Sequence, residues 1–214
     1  MKKLFLTLIL SLTLATGVFA LNVYPDTVSL NQENTYGVYQ VDHSIVVYKE
    51  PDDKSPIKTK IVWDKENVIP NDLKLTDLFV VYSAPRDLAL MAVTDETDDW
   101  VEVIYNQRTG DRGWIKKDDP YKFSPWVNFY SMYGKKYGLR VLKGSPESVN
   151  NMYGSTEDGA KIISTMNKPE IINLNVIRGN WMLVTVADAD RTPKTGFIRW
   201  RSDDGVKYLF PKFE

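Results

Sequence analysis

The chain has 214 residues, of which 27 are Lys or Arg and 28 are Asp or Glu, so its formal net charge is −1. This near balance lacks the basic footprint of a nucleic-acid-binding protein and argues against strong adsorption to anionic lipid. The chain has no cysteine and only one histidine. A cysteine nucleophile, a Cys/His zinc cluster and disulfide staples are therefore excluded.

Residues 1–20 have the pattern of a secretory signal peptide. Lys2 and Lys3 are followed by an apolar run over residues 4–14, and small residues up to Ala20 mark a cleavage site. A single membrane anchor is the alternative, but the run is short for a spanning helix. We expect an exported protein, periplasmic or extracellular, with no membrane span after cleavage. Without the two lysines, 25 basic residues face 28 acidic ones, a net charge of about −3.

The first β-rich region is predicted to span 37–119, after a polar and loosely held N-terminal lead over 21–36. Residues 44–48 are β-branched and aromatic, and the next strand alternates apolar and polar residues from Ile57. A long insertion follows over 64–90. Its end carries two apolar runs that predict a hairpin.

A hairpin pattern occurs twice in the chain. Trp100 opens a short alternating strand that a polar turn joins to Gly113-Trp114-Ile115, and Trp181 opens another that leads to Gly196-Phe197-Ile198. Two copies of one hairpin predict two copies of one small β-domain. The second is expected over 139–208, without the insertion, and is followed by a tail over 209–214.

Residues 120–138 predict a short helix that links the two domains. Trp126, Phe129, Tyr130 and Tyr133 share one helical face, which we expect to pack on one or both domains. A helix on a membrane surface is the alternative, but its polar face carries few basic residues. The predicted fold class is therefore mainly β, with two small barrels and one aromatic helix.

The order of these elements resembles bacterial Src-homology-3-like (SH3-like) domains. In that family an early strand ends in a turn with Pro, as in Val47-Tyr48-Lys49-Glu50-Pro51. A Trp strand and a closing Gly-aromatic-Ile strand come later, as in the two hairpins above. The second copy departs early, with Leu142-Lys143-Gly144 in place of a Tyr-x-x-Pro turn. The resemblance implies binding of cell-wall material or peptides, with no catalytic domain left over once two repeats are assigned.

Polar residues give little support for catalysis. His43 is predicted to be an ordinary surface histidine, since no Gly-x-Ser-x-Gly elbow accompanies it. The carboxylates of 95–99 predict a turn rich in backbone hydrogen bonds, with a weak cation site as the alternative. No cofactor and no metal are expected.

Four aromatic residues are candidates for ligand binding: Tyr48, Trp100, Trp181 and Trp200. Tyr48 ends the first strand, where SH3-like domains place ligand-contacting aromatics. Trp100 and Trp181 occur in both copies, so they also suit a structural role in the barrel. Trp200 has Lys117 as its counterpart, which leaves packing on the linker helix or a contact surface open.

Three functions follow from these patterns. The leading hypothesis is an exported, non-enzymatic module that binds a cell-wall peptide, a peptidoglycan fragment or an envelope protein through aromatic loop surfaces. The second is a structural or assembly protein without an open groove. The third is a hydrolase that uses a pair of carboxylates. The sequence leaves the oligomeric state open.

Overall fold

The computed structural model describes residues 22–64, 67–157, 159–167, 171–187 and 192–213. The predicted signal peptide, residues 1–20, lies outside this range. The fold is mainly β, which confirms the predicted class: the described strands form a ten-stranded and a seven-stranded sheet. In the described part of the chain, no helix is long and apolar enough to cross a membrane.

The ten-stranded sheet contains β1 Asn22–Val23, β2 Gly37–Gln40, β3 Ser44–Tyr48, β4 Ile57–Trp63, β5 Val68–Ile69, β6 Val81–Ser83, β7 Leu88–Glu96, β8 Trp100–Asn106, β9 Asp111–Lys116 and β10 Phe123–Pro125. The seven-stranded sheet contains β11 Leu139–Val141, β12 Asn151–Tyr153, β13 Ile162–Thr165, β14 Ile172–Arg178, β15 Trp181–Ala187, β16 Pro193–Arg199 and β17 Leu209–Pro211.

The described helices are short. A four-residue helix, α1, spans Leu75–Leu78 within the insertion. Continuous helical turns follow β10: α2 spans Trp126–Phe129, a π-helical turn spans Tyr130–Gly134, and α3 spans Lys135–Tyr137. We call these turns the 126–137 segment. Short 3₁₀ turns lie at Leu30–Gln32, Ala84–Arg86 and Glu147–Asn150.

The two sheets share one topology. Seven strands of the first sheet pair in the order β10-β2-β7-β8-β9-β3-β4, and the second sheet has the order β17-β11-β14-β15-β16-β12-β13. Corresponding strands also follow each other in the same chain order, and all these pairings are antiparallel. We call these sets of strands the first and second repeat. The first sheet adds β1, β5 and β6.

A glycine at the same place in both repeats lets neighbouring strands approach closely. A Cβ on Gly113 would lie 2.3 Å from Val47 Cγ1 and 3.0 Å from the Tyr48 carbonyl oxygen. A Cβ on Gly196 would lie 3.1 Å from Met152 Cβ and 3.3 Å from the Tyr153 carbonyl oxygen. The Gly-aromatic-Ile pattern of the sequence therefore reflects the contact between β9 and β3, and between β16 and β12.

Two clusters of buried residues hold the described part of the chain together. One lies within the first sheet and includes residues of α1. The other contains the buried side of the second sheet, the aromatic residues of the 126–137 segment, and Val38, Ala92 and Ile104 of the first sheet. Apolar contact therefore continues from one repeat to the other through this segment.

Residues 22–36 differ from the loosely held lead that their polarity predicts. β1 pairs with β6, and Gln32 and Thr35 are buried. Their polar groups have partners: the Thr35 hydroxyl donates to the Gln32 carbonyl oxygen at 2.8 Å, and Gln32 Nε2 donates to Gln107 Oε1 at 3.0 Å. Buried polar side chains are stable when they are hydrogen-bonded in this way.

The predicted tail, residues 209–214, is also part of the fold in its described positions. Leu209–Pro211 forms β17, which pairs with β11 along its whole length. Phe210 and Phe213 are buried among the aromatic rings of the 126–137 segment. A three-residue strand is too short to show the alternation by which longer strands are recognised.

Candidate functional site

Tyr48 and Trp100 meet on the first repeat. Tyr48 ends β3 and Trp100 begins β8, and their ring centroids lie 5.2 Å apart in an edge-to-face arrangement, at 85°. Lys116 is the cross-strand partner of Trp100, and its Nζ lies 5.7 Å from the indole centroid. The same ammonium pairs with Asp53 at 2.8 Å. This hydrogen bond raises the pKa of Lys116 above its usual range.

The second repeat carries the same arrangement at corresponding positions. Tyr153 ends β12 and Trp181 begins β15, with ring centroids 5.3 Å apart at 77°. Arg199, the cross-strand partner of Trp181, has its guanidinium carbon 5.9 Å from the indole centroid. Arg199 also donates to Asp203, and this hydrogen bond holds the pKa of the Asp203 carboxyl below its usual range.

The sequence pattern does not reveal Tyr153, because it places the first strand of the second repeat at 139–142, where the Tyr-x-x-Pro turn is missing. The structural counterpart of β3 is β12, Asn151–Tyr153, whereas Leu139–Val141 corresponds to β2. One signal was available. Tyr48 precedes Ile57 by nine residues, and Tyr153 precedes Ile162 by the same interval.

The two aromatic pairs differ in accessibility. Trp100 is only 6% exposed, while Trp181 and both tyrosines are partly exposed. An aromatic ring that is partly exposed to solvent can contact a ligand without a change of the fold. The second pair is therefore the more accessible candidate site, and Trp100 acts chiefly as a support for Tyr48.

Trp200 lies inside the molecule, which corrects the expectation that it contacts a ligand. Its side chain is 0% exposed, and its indole N–H donates to the Gly179 carbonyl oxygen at 2.9 Å. Its ring centroid lies 4.6 Å from that of Tyr130 in the 126–137 segment. Trp200 therefore packs on the 126–137 segment, which is one of the two interpretations that the sequence leaves open.

The outward-facing residues next to the second pair form a continuous row across five strands. Register places Val176 opposite Leu183, Leu183 opposite Phe197, and Phe197 opposite Tyr153. Tyr153 in turn lies opposite Ile162 of β13. We call these five residues the apolar row. The alternate residues of β15 and β16, such as Met182 and Ile198, are buried in the core.

Carboxylates of the first repeat line a separate cleft of about 490 Å³. Its walls carry these charged residues: Glu96, Asp98, Asp99, Asp118, Asp119, Lys116, Lys117 and Lys122. Lys117 Nζ lies 2.6 Å from Glu96 Oε1. Lysines thus offset the acids. Over the described residues, no three His, Asp or Glu side chains are placed to hold a metal ion.

His43 lies at the surface with its side chain 86% exposed. Its Nε2 is 3.2 Å from Asp42 Oδ1. Both residues line a second cleft of about 410 Å³, which also contacts Trp63 and Tyr82.

A search for related proteins finds no match to this chain among protein-family models or curated proteins. The candidate site therefore depends on the chain's own residues and geometry.

Proposed function

We propose that this chain is an exported, non-enzymatic binding protein whose repeats are SH3-like domains joined by the predicted aromatic helix. It recognises a cell-wall peptide, a peptidoglycan fragment or a segment of an envelope protein through the surfaces around Tyr48 and Tyr153. The recurrence of one Tyr–Trp–cation group at corresponding places of both repeats is the observation that supports this function most strongly.

Aromatic surfaces of this kind suit extended peptides. A stiff ring supplies contact area at a small cost in conformational entropy. The strand ends that carry these rings are fixed by the sheet, and the cation beside each indole is held by an aspartate. The groups are therefore preorganised, which lowers the entropy cost of binding.

The test is retention of the chain from residue 21 onward on purified peptidoglycan sacculi. We expect the double variant Tyr153→Ala/Trp181→Ala to lose at least fivefold in retention, with a smaller loss for Tyr48→Ala. Tyr36→Ala is the matched control, because Tyr36 is 62% exposed and lies outside both groups. Equal retention of all variants would contradict the proposed surfaces. If the wild-type chain is not retained on sacculi, the expected ligand is an envelope protein. Photo-crosslinking from position 153 would capture it.

A structural or assembly role is the second candidate. The full burial of Trp126 and Trp200 favours it, because both rings tie the repeats together and leave no groove at those positions. In that case the double variant at Tyr153 and Trp181 would keep the chain's envelope function, while Trp126→Ala would lose it.

The hydrolase hypothesis depends on the cleft that contains Asp99 and Asp119. A carboxylate pair of the glycosidase type needs one acid that stays protonated, whereas lysines line this cleft beside the acids. Alanine at either position that leaves every activity intact would remove the hypothesis.

A further inference from the structure

We infer that the outer face of the second repeat binds an extended peptide in which aliphatic and acidic residues alternate. This inference rests on the proposed binding function and assigns it to one face with one ligand chemistry. The face consists of the apolar row and two arginines beside it, Arg178 and Arg199.

The apolar row is exposed, and at two of its five places the fold does not require an apolar residue. Val176 is 39% exposed and Ile162 is 48% exposed, and the other three members are partly exposed. In the first repeat, register aligns Asp95 and Glu102 with the places that Val176 and Leu183 occupy in the second. The same topology therefore accepts carboxylates at these positions, so the apolar residues of the second repeat point to contact with a partner.

The outer strands of the shared topology, β13 and the part of β4 that β5 does not pair with, show the same difference between the repeats. Lys58 of β4 approaches Gly113, and Ile163 of β13 approaches Gly196 at the corresponding place. Ile163 is 53% exposed. A lysine on an edge strand discourages association, and an isoleucine does not. Three positions that are charged in the first repeat are therefore apolar in the second: two within the apolar row and one on the outer strand of the sheet.

Positive charge flanks the row on one side. Arg178 and Arg199 are the cross-strand neighbours of Trp181 on either side. The Arg178 guanidinium carbon also lies 5.6 Å from the Phe197 ring centroid, directly beside the row. Thr97 holds the place of Arg178 in the first repeat, three residues before the Trp that opens the next strand. Carboxylates are the groups that pair with guanidiniums, as Asp203 already does with Arg199, so an acidic side chain of a ligand would contact Arg178 first.

The length of the row fits a short extended segment. Five adjacent strands span about 19 Å at the usual strand spacing. An extended peptide covers this length with about six residues. Aliphatic side chains would contact the row, and acidic side chains would reach the arginines.

Fluorescence anisotropy tests this inference with a labelled eight-residue peptide of alternating Glu and Val. We expect saturable binding to the full chain, and at least tenfold weaker binding of the matched Lys–Val peptide. Val176→Asp/Leu183→Glu introduces the residues that the first repeat carries, and should weaken binding of the acidic peptide at least tenfold. Arg178→Thr should reduce the preference for the acidic peptide. Circular dichroism establishes that each variant is folded.

A matched pair of variants separates the two repeats. Ile162→Ala should weaken binding of the Glu–Val peptide, while Ile57→Ala, at the corresponding place and also 48% exposed, should leave it unchanged. Equal binding of both peptides overturns the inference, as does binding to anionic phosphatidylglycerol vesicles in place of the peptide. If Tyr48→Ala loses retention on sacculi and no substitution in the second repeat affects peptide binding, the inference fails and the proposed function stands. If neither sacculi nor peptide is bound, and crosslinking from position 153 captures no envelope protein, both fail.

Discussion

Gly113 and Gly196 occupy corresponding places, but the space around them differs. A Cβ at Gly113 would overlap Val47 Cγ1 at 2.3 Å and press on backbone, whereas at Gly196 its nearest atom is 3.1 Å away. We expect Gly113→Ala to lower the free energy of unfolding by about 1–3 kcal/mol, as overpacking does. Gly196→Ala should cost less. Urea denaturation midpoints measure both changes.

Gly154→Ala is the control for this pair. Its added Cβ would meet Ile163 Cγ2 at an ordinary 3.4 Å. Its effect should stay within about 0.5 kcal/mol. A Gly113→Ala variant as stable as the control would contradict the close approach of β9 and β3.

Lys207 is expected to make the stability of the molecule depend on pH. Its ammonium is buried, donates to the Gln32 carbonyl oxygen at 3.0 Å and to the Thr35 hydroxyl, and lies 4.5 Å from the Trp126 ring centroid. Burial, with a smaller effect of Arg201, lowers the pKa of Lys207 from 10.5 to about 7. Between these values the unfolded chain holds a proton that the folded chain has released. The free energy of unfolding should therefore rise with pH, by up to about 1.4 kcal/mol per pH unit.

Urea titrations at pH 7, 8 and 9 measure this slope. In Lys207→Met the contribution of this amine is absent, so the curve should be flatter over the same window. An identical slope in both proteins would show that the amine titrates near its usual pKa when folded.

At the scale of elements, the sequence predicts the long hairpins and misses the short strands. β8 with β9, and β15 with β16, have alternation, an opening aromatic and a turn, and each signal is local. β12 and β17 have three residues each, so no periodicity exists in them. These two strands form because they pair with strands that are distant in the sequence. The candidate site follows the same division, because Tyr48, Trp100 and Trp181 belong to recognisable patterns, and Tyr153 does not.

Phe213 tests whether the chain end is a tail or a part of the fold. Its ring stacks on Tyr24 at 4.9 Å and also contacts Phe129, Tyr133 and Tyr137. Phe213→Ala should lower the free energy of unfolding by about 3–5 kcal/mol, as loss of a buried aromatic does. Lys212→Ala, at the preceding and partly exposed position, should have little effect on the denaturation midpoint. Equal denaturation midpoints for the wild-type chain and Phe213→Ala would show that the chain end is a tail and not a part of the fold.

At the scale of the whole molecule, the repeats share buried contacts. Trp126 and Tyr130 lie in one apolar cluster with Ala92 of the first sheet and Met182 of the second. Tyr130 also donates its hydroxyl hydrogen to the Leu209 carbonyl oxygen at 2.6 Å. Under the proposed function, a ligand at one repeat would thus be held at a fixed orientation to the other. The two proposed surfaces on one body predict increased avidity for a repetitive ligand.

This shared core predicts that the two repeats unfold together. Trp126 is 1% exposed, and its indole N–H donates to the Thr35 carbonyl oxygen at 3.0 Å, so Trp126→Ala removes packing and a hydrogen bond at the junction. We expect one transition for the wild-type chain and, in the variant, a loss of about 3–5 kcal/mol and separate transitions for the repeats. Hydrogen exchange, followed by mass spectrometry of peptides from β8 and β15, resolves the two. Val127→Ala, at an exposed position of the same helical turn, should leave the single transition unchanged. Two transitions in the wild-type chain would show that the repeats are independent, and the two proposed surfaces would then have no fixed relative orientation.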